Sequence, residues 1–73
     1  MNDLFKLKIQ AEARKRLYPE GCRVQLTSMD DPQAPPIGTQ GTVVGVDDIG
    51  SIMVRWDNGS TLNVTTEDGC IKI

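Results

Sequence analysis

The chain has 73 residues, with eight Lys and Arg, ten Asp and Glu and no His, and 38% of its residues are apolar. This length fits one small domain and excludes a two-domain enzyme. The lack of His removes the commonest general base and metal ligand, and two cysteines cannot complete a four-ligand zinc site, so neither a metal nor a cofactor is expected.

The net charge of −2 is unevenly distributed along the sequence. Residues 1–17 carry +3 and residues 18–73 carry −5. Charged residues interrupt the first segment, and no apolar run approaches the ~20 residues that span a bilayer. We therefore expect a cytoplasmic protein with no membrane partner. In that compartment Cys22 and Cys70 are expected to be small buried side chains. A disulfide between them is possible but not required.

Residues 2–18 predict one amphipathic helix, because they contain neither Gly nor Pro and only one β-branched residue. Asn2 is the expected N-cap, and Pro19 the expected stop signal. The helix carries a wide apolar face that something must cover. It can pack on the rest of the chain or on the same helix of another subunit, which leaves a homo-oligomer open. This face comprises Leu4, Phe5, Leu7, Ile9, Ala11, Ala13, Leu17 and Tyr18.

From Cys22 onward the composition changes to that of β-strands, because 17 of the 52 residues are Val, Ile or Thr. Alternation of apolar and polar residues predicts five short strands. They are Cys22–Thr27, Thr42–Val46, Ile52–Trp56, Thr61–Thr65 and Cys70–Ile73.

The connections between these strands have recognisable turn signals. A Pro- and Gly-rich loop covers residues 28–41, and tight turns are predicted at residues 47–50 and 66–69. Asp57-Asn58-Gly59 predicts a type I′ hairpin, in which both central residues have positive φ. This order of strands and loops predicts a mainly β fold, a five-stranded SH3-like small barrel over residues 22–73 preceded by the N-terminal helix.

Three segments carry a resemblance to a known family: MDDP at residues 29–32, GTVVGVDDIG at 41–50 and IMVRWDNGS at 52–60. Over residues 19–73 the chain resembles the domain of unknown function 4314 family. The resemblance implies a small protein of a phage or mobile element of Firmicutes, acting in the host cytoplasm, and it implies no activity. The segment Val54 to Gly59 also resembles a hairpin of the Mind-bomb type SH3-like domain, which binds peptide tails.

No catalytic pattern stands out in the sequence. A Gly-x-Ser-x-Gly elbow, a phosphate-binding Gly-Lys-Ser/Thr loop and a Gly-x-Gly-x-x-Gly motif are all missing, and neither cysteine has a base nearby in sequence. A barrel of this size also lacks room for an enclosed substrate cavity. We therefore expect a protein that is not an enzyme.

Two acidic pairs are the first candidate binding site. Asp30 and Asp31 lie in the long loop, and Asp47 and Asp48 lie in the turn before the third predicted strand. In an SH3-like barrel these loops meet, so four carboxylates would flank one groove. Such a groove could steer in a basic peptide or hold a divalent cation loosely. Alternatively, the same residues serve ordinary turn chemistry.

Trp56, with Arg55 and Asp57 beside it, is the second candidate. A buried Trp56 would fill the core, whereas a half-exposed one could stack on a base, a nicotinamide-like ring or an aromatic side chain.

The third candidate is the basic cluster of Arg14, Lys15 and Arg16. It could bind nucleic acid weakly and without sequence preference, although matching of the helix dipole explains it equally.

Together these features favour a non-enzymatic adaptor that contacts a protein partner through its loops. One alternative is a counter-defence protein that sequesters a small nucleotide signal at a subunit junction, with Arg23, Arg55, Trp56 and the basic cluster of the helix as contacts. Another is non-specific nucleic-acid binding through the basic helix end, which the acidic remainder of the chain disfavours.

Overall fold

The computed structural model describes residues 3–73, with side chains from Phe5 onward. Over this range a single helix is followed by four strands, which form an antiparallel sheet in the order β3-β2-β1-β4. The chain is therefore mainly β, as its composition predicts. The elements are α1 Asp3–Leu17, β1 Arg23–Ser28, β2 Gln40–Val46, β3 Ile52–Trp56 and β4 Gly69–Lys72.

The predicted five-stranded closed SH3-like barrel is wrong, because the sheet is open and residues 61–65 do not form a strand. Val64 makes an isolated bridge with Ile52, and two backbone hydrogen bonds of 2.7 and 2.9 Å join them. In a continuous antiparallel ladder the Leu62 carbonyl would face the next strand's backbone. It instead accepts a hydrogen bond of 2.7 Å from the indole Nε1 of Trp56. A side chain thus takes the place of strand pairing at this edge.

The hairpin after β3 lies where the sequence predicts it but has a different conformation. Gly59 has a φ of +90°, whereas Asn58 does not have positive φ, so the turn is not type I′. The Asn58 side-chain oxygen accepts a 3.0 Å hydrogen bond from the Ser60 amide and stabilises the turn. The turn at residues 47–50 is confirmed, with Gly50 at a φ of +89°.

The core lies on the inner face of the sheet, where alternate residues of β1, β2 and β3 point. Gly41 brings β2 close to β3, since a Cβ at this position would lie 2.6 Å from Val54 Cγ1 and 2.9 Å from Trp56 Cε3. The large indole therefore packs against a strand that has no side chain at this point. The buried cluster comprises Val24, Leu26, Val43, Ile52, Val54, Trp56 and Val64.

One face of α1 packs on the remainder of the chain. Ala11 is 2% exposed, and it lies against the turn that contains Gly50, where a Cβ would lie 3.5 Å from the Ala11 backbone nitrogen. The Tyr18 hydroxyl donates a 3.3 Å hydrogen bond to the Cys70 carbonyl at the start of β4. The predicted helix is confirmed over the described residues from Asp3, and it ends at Leu17, one residue before the predicted end. The predicted N-cap, Asn2, lies outside the described residues.

Candidate functional site

An acidic groove of about 350 Å³ lies where the end of β1 meets the start of β4. These two strands are antiparallel neighbours, and Ser28 pairs with Gly69. The residues that follow β1 and those that precede β4 therefore converge on one end of the sheet. The groove is lined by Met29, Asp30, Asp31, Ser51, Leu62, Asn63, Thr65, Glu67 and Asp68.

The lining described here carries four carboxylates and no Lys or Arg. Asp68 is held in place, because its Oδ2 accepts hydrogen bonds from the Thr65 amide at 3.0 Å and the Thr65 hydroxyl at 2.9 Å. Asp31 Oδ1 accepts a 2.8 Å hydrogen bond from the Gln33 amide. Asp30, Asp31 and Glu67 are exposed, and Asp68 is half-buried. The groove therefore combines two carboxylates held by local hydrogen bonds with further exposed acidic side chains that can adjust to a cation.

The floor of the acidic groove is partly apolar. Met29 and Leu62 are half-buried, and Ser51, directly before β3, is 8% exposed. Ser51 is fixed by its backbone, whose amide donates a 2.8 Å hydrogen bond to Asp47 Oδ1. This lining suits a ligand that has an aliphatic portion and a positively charged end.

The structure does not place the two predicted acidic pairs in one groove. Asp47 serves its own turn, because Oδ1 accepts hydrogen bonds from the amides of Ile49 and Ser51. Asp48 forms a 3.2 Å ion pair with Lys15 of α1. The carboxylates that join Asp30 and Asp31 are Glu67 and Asp68, which the sequence pattern indicates only as turn residues. Recognition that β1 and β4 are neighbours would have identified them.

Trp56 is a core residue, 2% exposed, and its ring is not available to stack on a ligand. Its neighbour Asp57 accepts a bidentate pair of hydrogen bonds from Arg23, with Nη1 to Oδ1 at 2.9 Å and Nη2 to Oδ2 at 2.5 Å. This hydrogen bonding lowers the pKa of the Asp57 carboxyl below its ordinary value. Arg55 is exposed on the outer face of β3. The second candidate site is thus divided between the core and a surface ion pair.

The basic cluster of α1 is divided in the same way. Arg14 Nη1 donates hydrogen bonds to the carbonyl oxygens of Gly50 at 2.8 Å and Thr65 at 3.0 Å. Lys15 pairs with Asp48, whereas Arg16 is exposed. Two of the three cations are therefore engaged within the chain.

Cys22 and Cys70 are both free and half-buried. Burial raises the pKa of the Cys70 thiol, which opposes formation of the nucleophilic thiolate.

Among the residues that the structure describes, no three Cys, Asp or Glu side chains are arranged to hold a metal ion. The helix described over residues 3–17 is not long and apolar enough to cross a membrane.

Comparison with known proteins identifies the family. A family model described as "Domain of unknown function (DUF4314)" matches residues 8–73. The match extends beyond the segment 19–73 that carries the sequence resemblance, and it includes much of α1. No curated protein and no solved structure matches the chain. With nearly the whole sequence covered, the chain belongs to the DUF4314 family.

Proposed function

We propose that this protein is a non-enzymatic binding module whose acidic groove captures a Lys- or Arg-containing segment of a protein partner. The observation that carries this proposal is the convergence of Asp30, Asp31, Glu67 and Asp68 on one groove whose described lining contains no cation. Four carboxylates on one groove give it a negative potential, which attracts an incoming cation.

The shape and lining of the groove favour a basic side chain over a bare metal ion. The aliphatic stem of Lys or Arg would lie along Met29 and Leu62, and its charged head would reach the carboxylates. The carboxylates are too dispersed to form a metal-binding group within the described residues. Because the groove is open and solvated, affinity should be modest and should fall with added salt.

The alternative functions receive less support from the geometry. The engagement of Arg14 and Lys15 within the chain leaves little of the basic cluster free for phosphate groups. The burial of Trp56 and the pairing of Arg23 with Asp57 engage two of the side chains expected to contact a nucleotide, and Arg55 and the basic cluster are the others. A role as an adaptor of a phage or mobile element, in the host cytoplasm, stays a prediction from the resemblance.

Fluorescence anisotropy with labelled peptides tests the proposal. We expect the full chain to bind a peptide of alternating Lys and Gly, and not a peptide of the same length with Gln for Lys. Binding should weaken about tenfold in the triple variant Asp30→Asn, Asp31→Asn and Glu67→Gln. The matched control is Glu20→Gln, which removes an exposed carboxylate outside the groove. Equal binding by the triple variant and the control would refute the proposal.

A further inference from the structure

An apolar stripe runs along the outer face of α1, among the exposed polar side chains Lys6, Gln10 and Arg16. Ile9 is 53% exposed and Leu17 is 59% exposed, and Ala13 lies midway between them. Residues four apart share one side of a helix, whereas Ala11 and Arg14, which contact the rest of the chain, lie on the other side. Large aliphatic side chains are thus presented to solvent along two turns of the helix.

The centre of this face is a shallow hollow. A depression of about 370 Å³ is lined by Ala13, Arg16 and Leu17. The hollow exists because Ala13 has a small side chain beside the larger ones of Arg16 and Leu17. Small residues at the crossing point allow two helices to approach closely, and a neighbouring aliphatic side chain can fill such a hollow.

We propose that the outer face of α1 binds the same face of a second copy, with the two helices antiparallel and crossing at Ala13. Ile9 lies four residues before Ala13 and Leu17 four residues after it. In the antiparallel pair, Ile9 of one copy would therefore lie opposite Leu17 of the other. The apolar positions are therefore complementary to themselves under a two-fold rotation. A contact of this isologous kind closes on itself and gives a dimer rather than a filament.

The charges beside this stripe are self-complementary as well. Glu12 and Arg16 are four residues apart and lie on the same flank of the stripe. In an antiparallel pair related by a two-fold axis, equal flanks face each other. Crossing at Ala13 brings Glu12 of one copy to within two residues, or about 3 Å along the axis, of Arg16 of the other. This Glu12–Arg16 pairing occurs twice, whereas the two Glu12 side chains, which also lie about 3 Å apart along the axis, repel each other once. Contacts between opposite charges therefore predominate in a pair of identical copies.

This interface leaves the acidic groove free, because none of the residues that line the groove belongs to α1. A dimer would therefore present two grooves and could bind a partner with two basic segments more tightly than one copy can. The inference does not depend on the proposed ligand of the groove.

Sedimentation velocity on the full chain, without peptide, is the first test. We expect a reversible dimer, and we expect Ala13→Arg to abolish it, because a long charged side chain would fill the hollow at the crossing point. The control is Ile37→Arg, which changes an exposed apolar residue in the loop before β2 and should leave the dimer intact. Circular dichroism checks that both variants are folded. A wild-type chain that remains monomeric at several hundred micromolar would overturn the proposal.

A charge exchange tests the antiparallel geometry directly. Glu12→Arg alone and Arg16→Glu alone should each raise the dimer dissociation constant about tenfold, because each makes both contacts repulsive. An equimolar mixture of the two variants should form a heterodimer, in which both contacts are again between opposite charges. Within each variant the two side chains remain alike in charge, so an effect inside one helix cannot produce this rescue. Absence of the heterodimer would refute the arrangement.

Discussion

The Nη1 atom of Arg14 lies 2.8 Å from the carbonyl oxygen of Gly50, which is 36 residues further along the chain. The same nitrogen lies 3.0 Å from the Thr65 carbonyl and 3.3 Å from that of Val64. One guanidinium thus joins α1 to the turn between β2 and β3 and to the segment beside β3. The Val64 carbonyl also accepts the Ile52 amide of the isolated bridge, whereas the carbonyls of Gly50 and Thr65 lie on either side of that bridge, where the charged side chain supplies a donor.

Replacement of Arg14 by Met should lower the free energy of unfolding by about 1–2 kcal/mol, since hydrogen bonds from a charged donor to partly buried carbonyls are lost while helix propensity is kept. Urea denaturation followed by circular dichroism measures the change. The control is Arg55→Met, which removes an exposed guanidinium and should cost less than about 0.5 kcal/mol. Equal losses in the two variants would show that the Arg14 contacts contribute nothing specific.

Two glycines of β2 form a second matched pair. A Cβ at Gly41 would lie 2.6 Å from Val54 Cγ1 and 2.9 Å from the Arg55 carbonyl oxygen, whereas one at Gly45 would lie 3.2 Å from the flexible end of Met53. Gly41→Ala should therefore cost about 1–3 kcal/mol of stability through overpacking. Gly45→Ala should be close to neutral, because the methionine can move. Thermal unfolding measures the loss of stability in both variants. A smaller loss for Gly41→Ala than for Gly45→Ala would contradict the packing described.

The sequence predicts the parts of this fold that depend on local pattern. The helix and the segments that form β1, β2, β3 and β4 follow from periodicity, composition and turn residues. The strand predicted at residues 61–65 fails because the Trp56 indole takes the Leu62 carbonyl, and no alternation pattern records which donor a carbonyl will find. The type I′ turn fails because Asn58 caps the hairpin through its side chain.

The candidate site is predictable only in part for a related reason. Asp30 and Asp31 are noticeable as an acidic pair in a loop. Their structural neighbours Glu67 and Asp68 are more than 30 residues away in sequence and depend on the pairing of β1 with β4. Local patterns identify strands but do not say which strands are adjacent. Asp47 and Asp48 are equally noticeable, yet Asp47 accepts hydrogen bonds within its own turn and Asp48 pairs with Lys15 of α1.

The Arg23–Asp57 ion pair gives a pH dependence with a definite sign. Because Arg23 lowers the pKa of Asp57 in the folded state, the pair stabilises the fold above the carboxyl's unfolded pKa, and this stabilisation is lost as the pH falls through the lowered folded value. Asp57→Asn should therefore reduce the urea midpoint at about pH 7, and by less at an acid pH below the carboxyl's ordinary pKa. Asp30→Asn, at an exposed carboxylate in the groove, is the comparison. A reduction that is equal at both pH values would contradict this account.

The thiol of Cys70 provides a probe of how firmly α1 and β4 are joined. Its pKa is raised mainly by burial, and the Tyr18 hydroxyl donates a hydrogen bond to the backbone carbonyl of the same residue. In a Cys22→Ser variant, the remaining thiol should react with a disulfide reagent at about pH 8 more slowly in the folded chain than in urea, because less of it is thiolate and access is limited. Because the thiol pKa is raised in the folded chain, the reaction rate of the folded chain should level off at a higher pH than the rate of the unfolded chain.

Tyr18→Phe distinguishes protection by the helix from protection by the sheet. This change removes the hydroxyl that joins α1 to β4 and keeps the aromatic ring, so access to Cys70 should increase without loss of the overall fold. Because the same hydroxyl also lowers the pKa of the Cys70 thiol, the quantity to compare is the rate per thiolate, taken from the dependence of the rate on pH. If Tyr18→Phe leaves the rate unchanged while urea increases it, the sheet alone shields the thiol. If folded and unfolded chains react equally, Cys70 is not buried as described, and the contact between the end of α1 and the edge strand is not maintained in solution.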